Sequence, residues 1–241
     1  MKRVRVIDIG SNTIKSLVAE GGTTAETSAL FQDAKETRLS CGMSADGTLV
    51  EAAMNAATAA VSQLLNDGFP VDETLLIATS AVREAPNRAV FLKKIFDACA
   101  LKVHTLSGEE EAALSARGVC TDPALKSQQN FQLLDMGGGS LEIVKIKAKK
   151  ISAAASFSLG AVRLTRQFLP DPQTPAPENL PKTIAQETRD RLKDFLEPSQ
   201  LVGTGGAFTV ARAILAPQAG FETAHELQIN QIQSLYEKIA P

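Results

Sequence analysis

The chain has 241 residues, 44% of them hydrophobic, enough for one large domain or two small ones around a sizeable core. Its 25 basic and 27 acidic residues leave a net charge of −2, with no general attraction to nucleic acid or to an anionic membrane, so any anion is held by a local site. Tryptophan is absent and aromatics are 5%, which argues against a base-stacking platform.

Cys41, Cys99 and Cys120 are odd in number, far apart and without neighbours at metal-ligand spacing. Buried free thiols in a reducing cytoplasm are therefore expected, with no disulfide and no zinc. The N-terminal MKRVRVIDIGSNT lacks the apolar stretch of a signal peptide, and no run approaches the ~18 apolar residues of a membrane span. The expected setting is cytoplasmic, with no membrane partner. His104 and His225 are isolated and read as structural.

In chain order, Arg3–Ile9 and Ile14–Ala19 are β-rich runs separated by the turn cluster GSNT, and SALFQDAKETRLS continues that sheet. From Thr48 to Asn66 apolar residues recur at helical spacing, and Thr48 with Glu51 has the form of a capping box. TLLIATSA then reads as strand, NRAVFLKKIFDAC as helix, LKVHTLS as strand and GEEEAALSARGVC as helix, an α/β alternation. The order then starts again. NFQLLDM, SLEIVKIKA and KKISAAASFSL are strands, with a turn at 148–150, and Ala161–Phe168 is a helix. A loop follows in LPDPQTPAPENLP, which holds five of the 11 prolines. SQLVGTGGAFTVARAIL reads as strand, glycine loop and helix, and a last helix runs from Gln228 to Ile239, with the option of crossing back to the first half.

Two stretches share one pattern. VRVIDIGSNTIKSLVAE and FQLLDMGGGSLEIVKIK each run apolar strand, Asp, any residue, Gly, small residues and second strand. Two similar lobes, residues 1–125 and 126–241, would bring Asp8 and Asp135 together across a cleft, each followed by a turn whose bare backbone can approach a ligand. Turns of this kind aim several N–H groups at one phosphate. Carboxylates cannot bind phosphate directly and need an intervening cation such as Mg²⁺. No Walker-type P-loop is present, because no glycine loop carries the Lys-Ser/Thr pair before a helix.

The motifs DIGSNT, ATSAVREAPN, LSGEEEA, LLDMGGGSLE, SLGAVRLT, VGTGGAFT and TAHELQIN, in this order, resemble the exopolyphosphatase / guanosine pentaphosphate phosphohydrolase (Ppx/GppA phosphatase) family of the actin-like ATPase superfamily. The resemblance implies a two-lobed actin-like (ribonuclease H-like) α/β fold, with duplicated mixed β-sheets flanked by helices and an interlobe cleft. It also implies a hydrolase that removes terminal phosphate from inorganic polyphosphate or guanosine pentaphosphate with Mg²⁺ or another divalent cation. Such a reaction needs a positioned water, a base, and positive or N–H groups around the phosphoryl. Matching SGxEEA places the general base on Glu111, with Glu110 as runner-up; all three of Glu109–Glu111 also suit the positive end of a helix dipole. Arg83 is the candidate for a forked contact with phosphate oxygens, although an arginine beside Glu84 has an ordinary surface use. Gly10, Ser11, Asn12, Thr13, Gly137, Gly138, Gly139, Ser140, Gly205 and Gly206 are the phosphate-binding candidates, with Lys15 a weaker one. Asp8, Asp135 and Glu142 are the metal candidates; period-two alternation puts Ser140 and Glu142 on one face.

The chain departs from the family pattern at Thr13, Leu141 and Ala207, and it ends at Pro241, where the family's second lobe continues, so a shortened second lobe is expected. Two other readings are an ATP-dependent sugar or acetate-type kinase of the same fold and a sensor that binds polyphosphate or a guanosine phosphate without cleaving it. Homodimers being the commonest oligomers, a homodimer is the default assembly.

Overall fold

A computed structural model describes residues 1–22, 25–44, 46–169, 171, 173–218 and 225–239. Pro170 and Pro172 of the proline-rich loop, and the first two residues of TAHELQIN, lie outside the described residues. The chain forms two compact units, Met1–Ser107 and Gly108–Pro241. The helix of GEEEAALSARGV therefore belongs to the second unit, and the division falls before it, whereas the sequence expectation put the boundary at 125/126.

In the first unit, β1 (Lys2–Ile9) pairs antiparallel with β2 (Thr13–Gly22), and β2 with β3 (Ala25–Glu36). β4 (Glu73–Ala78) and β5 (Val103–Thr105) add in parallel on the other side of β1, giving the order β3-β2-β1-β4-β5. Strand alternation puts Ile7 and Ile9 of β1, Ile14 of β2 and Leu76 of β4 into one core. α1 (Glu51–Leu65) covers it with Met54, Ala57, Val61 and Leu64, spaced three and four apart along one helical face, and α3 (Arg88–Cys99) with Phe91 and Ile95.

Local departures from the sequence expectation have physical causes. The capping box at Thr48 and Glu51 does not form: Val50 is the N-cap and makes no side-chain bond. Thr48 N–H is instead held by Asp46 Oδ1 at 3.0 Å, and Asn87 fixes the chain before the helix by bonding Leu49 through both its amide groups, at 3.0 and 2.9 Å. TLLIATSA is strand only as far as Ala78; the Thr79 carbonyl then accepts from the N–H groups of Val82 and Arg83 and starts a short helix, α2 (Ser80–Glu84). Arg5, on the core face of β1 and 2% exposed, donates to the Leu65 carbonyl at 2.8 Å and pairs with Asp67, closing the end of α1. Cys41 and Cys120 are exposed and Cys99 is half-buried, in contrast to the buried thiols expected: Cys41 sits in a surface turn and Cys120 just beyond a helix end.

The second unit repeats the plan. β6 (Phe131–Met136), β7 (Leu141–Lys147) and β8 (Lys150–Phe157) form an antiparallel meander, and β9 (Leu201–Thr204) joins β6 in parallel, giving β8-β7-β6-β9. This is the order β3-β2-β1-β4 again. The β7–β8 loop is the two residues Ala148 and Lys149, both at positive φ (50° and 61°), the backbone form that follows strand twist in a tight hairpin. α4 (Gly108–Val119) packs Ala112 and Ala116 on one face of the sheet, against Phe131, Leu133, Val144 and Ile146. The other face packs Leu141 and Ile143 against Leu159 and against Leu192 of α6 (Leu180–Leu192), with Leu164 of α5 (Ala161–Phe168) beside them. α7 (Gly206–Leu215) follows β9, and α8 (Ile229–Ile239) packs on α7. None of the described helices is long and apolar enough to cross a membrane.

Candidate active site

On the α4 side of the second sheet, alternation puts Phe131, Leu133 and Asp135 of β6 in one row, and Ile146, Val144 and Glu142 of β7 in the next. The first two of each row are core; the third is a carboxylate. Asp135 and Glu142 are directly opposed across the strand pair, and Ser156 stands opposite Glu142 on β8. Ser156 Oγ donates to Glu142 Oε1 at 2.6 Å, and the Ser140 hydroxyl bonds the same carboxyl. From α4, Ser115 Oγ donates to Asp135 Oδ2 at 2.5 Å. Glu111 lies one helical turn before Ser115, so the two share a face of α4.

Within GEEEA, Glu109 and Glu110 are exposed and Glu111 is half-buried. The charge of Glu111 reaches Glu142. The Glu142 carboxyl, 1% exposed, is pushed up to about 7, first by burial and then by Glu111, with Asp135 adding to the repulsion against the hydroxyl bonds that favour the anion. α4 comes this close because Gly108 opens it: a Cβ there would stand 2.5 Å from Ser156 Cβ.

The glycine turn lies at the end of β6. Gly137 N–H donates to the Ser140 carbonyl at 3.0 Å and closes the turn. The carbonyls of Gly137 and Gly138 accept from the N–H groups of Ala161 and Arg163 at 2.9 and 3.1 Å, and Arg163 Nε donates to the Gly139 carbonyl at 2.9 Å. Among the described residues the N–H groups of Gly138 and Gly139 donate to no backbone carbonyl. The glycines also have a packing reason. A Cβ on Gly160 would stand 2.3 Å from the Gly139 carbonyl carbon, so the turn and the start of α5 meet backbone to backbone. Gly205, at φ 91°, closes the other side, where a Cβ would lie 2.3 Å from the Met136 carbonyl oxygen and 2.9 Å from Asp135 Oδ1. Gly206 opens α7, with nothing within 4 Å of its would-be Cβ.

The first unit holds the matching turn. Asp8 occupies the place in β1 that Asp135 has in β6, and Gly10 N–H donates to the Thr13 carbonyl at 3.2 Å. Ser11 is buried, its carbonyl held by Ser40 N–H at 2.9 Å, and the Asn12 carbonyl accepts from Thr37 and Arg38 N–H at 3.0 and 2.8 Å. Lys15, opposite Asp8, is exposed. Arg83, half-buried on α2, donates Nη1–H to the Leu106 carbonyl at 3.1 Å; Glu84 accepts from Ser80 Oγ at 2.8 Å. Asp8, Gly10–Thr13 and Arg83 thus belong to the first unit, and Glu110, Glu111, Asp135, Gly137–Ser140, Glu142, Gly205 and Gly206 to the second.

Sequence reasoning missed Ser115, Ser156, Gly108, Gly160 and Arg163. Ser115 had a signal, its position four residues after Glu111; Gly160 and Arg163 lay inside SLGAVRLT, a motif matched without a role. Among the described residues no group of three or more His, Cys, Asp or Glu is arranged to hold a metal by itself. Asp135 and Glu142 are hard oxygen donors in the number that Mg²⁺ takes when phosphate oxygens and water complete its shell. Their repulsion with Glu111 is one that a divalent cation relieves, so the donor set fits such an ion.

Two sheets with one strand order, each closing an aspartate–glycine turn, define a duplicated actin-like α/β fold. The chain belongs to the Ppx/GppA phosphatase family, whose model matches residues 17–241. It is 30% identical over 241 residues to exopolyphosphatase 2 of Mycobacterium tuberculosis, covering 93% of this chain and 74% of that protein. It is 29% identical over 250 residues to the guanosine-5'-triphosphate,3'-diphosphate pyrophosphatase of Photobacterium profundum, covering 97% of this chain and 48% of the relative. The solved Ppx/GppA enzyme of Aquifex aeolicus matches with a TM-score of 0.79 at 26% identity, over 99% of this chain and 81% of that one. The chain spans between 29% and 74% of the length of curated relatives it matches, the lower figure being for a bifunctional 3-dehydroquinate synthase/phosphatase of Fusobacterium nucleatum.

Proposed function

We propose that the protein is a phosphoanhydride hydrolase that releases terminal phosphate from inorganic polyphosphate or guanosine pentaphosphate by attack of water, with Mg²⁺ as its divalent cation, in the cytoplasm. The observation that carries this reading is the Glu111–Asp135–Glu142 cluster beside a glycine turn whose carbonyls are tied back and whose N–H groups at Gly138 and Gly139 are left for an anion. The family membership and the names of the relatives support the substrate class.

In this reading Glu111 accepts a proton from the attacking water. Gly138 and Gly139 N–H donate to phosphate oxygens as charge builds on them. Asp135 and Glu142 hold the cation, which when bound neutralises charge on the phosphate oxygens. Arg83 and the Gly10–Thr13 turn are the phosphate ligands of the first unit.

Phosphate release from tripolyphosphate, longer polyphosphate and guanosine pentaphosphate, each with Mg²⁺ and with EDTA, tests the proposal. Mg²⁺-dependent release from at least one substrate is expected. Glu111→Gln should lower it by about 10²–10⁴-fold, the usual contribution of a positioned base, without loss of the far-UV circular dichroism spectrum. Full activity in Glu111→Gln overturns the choice of base; tight binding without release overturns hydrolysis itself.

A further inference from the structure

SLGAVRLT runs into α5, and its arginine has no place in the proton-transfer or metal chemistry above. We infer that Arg163 is a positioning residue that sets the direction of the anion-binding N–H groups in the glycine turn. The inference rests on the reading of that turn as a phosphate site.

A trans peptide is planar, with its C=O and N–H pointing opposite ways. Fixing the carbonyl of one residue therefore aims the N–H of the next. In this turn the Gly137 carbonyl is held by Ala161 N–H, the Gly138 carbonyl by Arg163 N–H and the Gly139 carbonyl by Arg163 Nε–H, at 2.9, 3.1 and 2.9 Å. All three point to the start of α5, so the N–H groups of Gly138, Gly139 and Ser140 point away from it. Three successive N–H groups converging on one side form an anion nest.

The first two carbonyls are held by backbone and are indifferent to side-chain identity. The third depends on one guanidinium. Glycine has access to both signs of φ, so nothing intrinsic to Gly139 keeps the Gly139–Ser140 peptide from turning over. The matching turn of the first unit gives an independent comparison: Asn12, the counterpart of Gly139, has its carbonyl held by the two N–H groups of Thr37 and Arg38. The same carbonyl is pinned in both copies, by main chain in one and by Arg163 in the other. Lysine cannot replace it, because a mobile ammonium lacks the in-plane Nε–H that meets a carbonyl while its own backbone N–H serves the neighbouring residue.

The test is titration of imidodiphosphate, a non-hydrolysable phosphoanhydride analogue, onto the full chain with Mg²⁺, alongside phosphate release from tripolyphosphate. Arg163→Lys and Arg163→Met are both expected to weaken binding by about tenfold or more, as loss of a hydrogen bond from a charged group does. Arg166→Lys, the same exchange on the same helix, should bind as wild type does. A purely structural role would lower the unfolding midpoint and leave the affinity of the folded fraction unchanged, and a role through charge alone would be rescued by lysine; either result overturns the inference. Arg163→Lys keeps the charge, the stem and the backbone bond, so it decides the matter if Arg163→Met does not fold. Wild type that binds imidodiphosphate while Arg163→Lys binds equally well overturns this inference alone. Wild type that neither binds the analogue nor releases phosphate overturns the functional reading, and this one with it.

Discussion

Glu142 is a carboxyl inside a protein, held among two hydroxyl donors and two other carboxylates, and its titration is bound to the stability of the fold. Its pKa is raised from 4.5 to about 7. The folded state therefore keeps a proton that the unfolded chain releases, and this contribution is complete below pH 4.5 and lost as pH rises through 7. In metal-free buffer Glu142→Gln should remove that dependence, so that the variant gains on wild type by on the order of 2–3 kcal/mol between pH 4.5 and pH 8. Urea melts at several pH values measure it; a constant difference between the two proteins across that range would contradict the assignment. Asp135 and Glu142 were legible in the sequence because an aspartate and a glutamate flank a triple-glycine turn. Ser115 and Ser156 were not: Ser115 meets Asp135 only through the approach of α4 to the sheet, which depends on Gly108, and Ser156 meets Glu142 only through the register of β8 on β7.

At Gly160 the approach of the start of α5 to the glycine turn is backbone to backbone, and this leaves no room for a methyl group. Gly160→Ala would place a Cβ within 2.3–2.5 Å of Gly138, Gly139 and Ser140 backbone atoms. The start of α5 must then move off the turn, at a cost of about 1–3 kcal/mol as for an overpacked core, and phosphate release should fall with it. Gly118→Ala, where a Cβ meets nothing within 4 Å, is the control and should be neutral or stabilising by about 0.4–1 kcal/mol. Thermal melts with activity assays separate the two; an unaffected Gly160→Ala would show that the contact is looser than the distances imply. Most elements could be read from periodicity and turn residues, as in α3 and α5. The start of α1 could not, because Asp46 took the Thr48 N–H that a capping box would have used, and Asn87, far away in sequence, fixed Leu49 in front of the helix. Nor could α2, whose five residues are too short to carry a helical period.

For the molecule as a whole, each unit has its own core: Ile7, Ile14, Val61 and Phe91 in the first, Leu133, Val144, Ile143 and Leu192 in the second. Separate cores predict separate cooperative transitions. In calorimetry, Phe91→Ala should lower one of two transitions by about 3–5 kcal/mol, as removal of a buried aromatic does, and leave the other in place. A single transition that shifts as a block would show that the units unfold together. The duplication behind this plan was visible as a repeated strand–Asp–x–Gly–strand pattern, which located both hairpins. The place where one unit ends was not visible, because α4 follows the last strand of the first unit directly and only its packing assigns it to the second sheet.

The two hairpins share strand order, turn closure and the position of their aspartates, yet the residue opposite the aspartate differs: Lys15 faces Asp8, and Glu142 faces Asp135. Repeating a backbone has not repeated its ionic character. The cross-strand position is formally neutral in the first copy and doubly negative in the second when both acids are ionised. A divalent ion meeting two near-identical turns thus has an electrostatic reason to choose one of them, and the choice is written in a single side chain on the strand that leaves each turn.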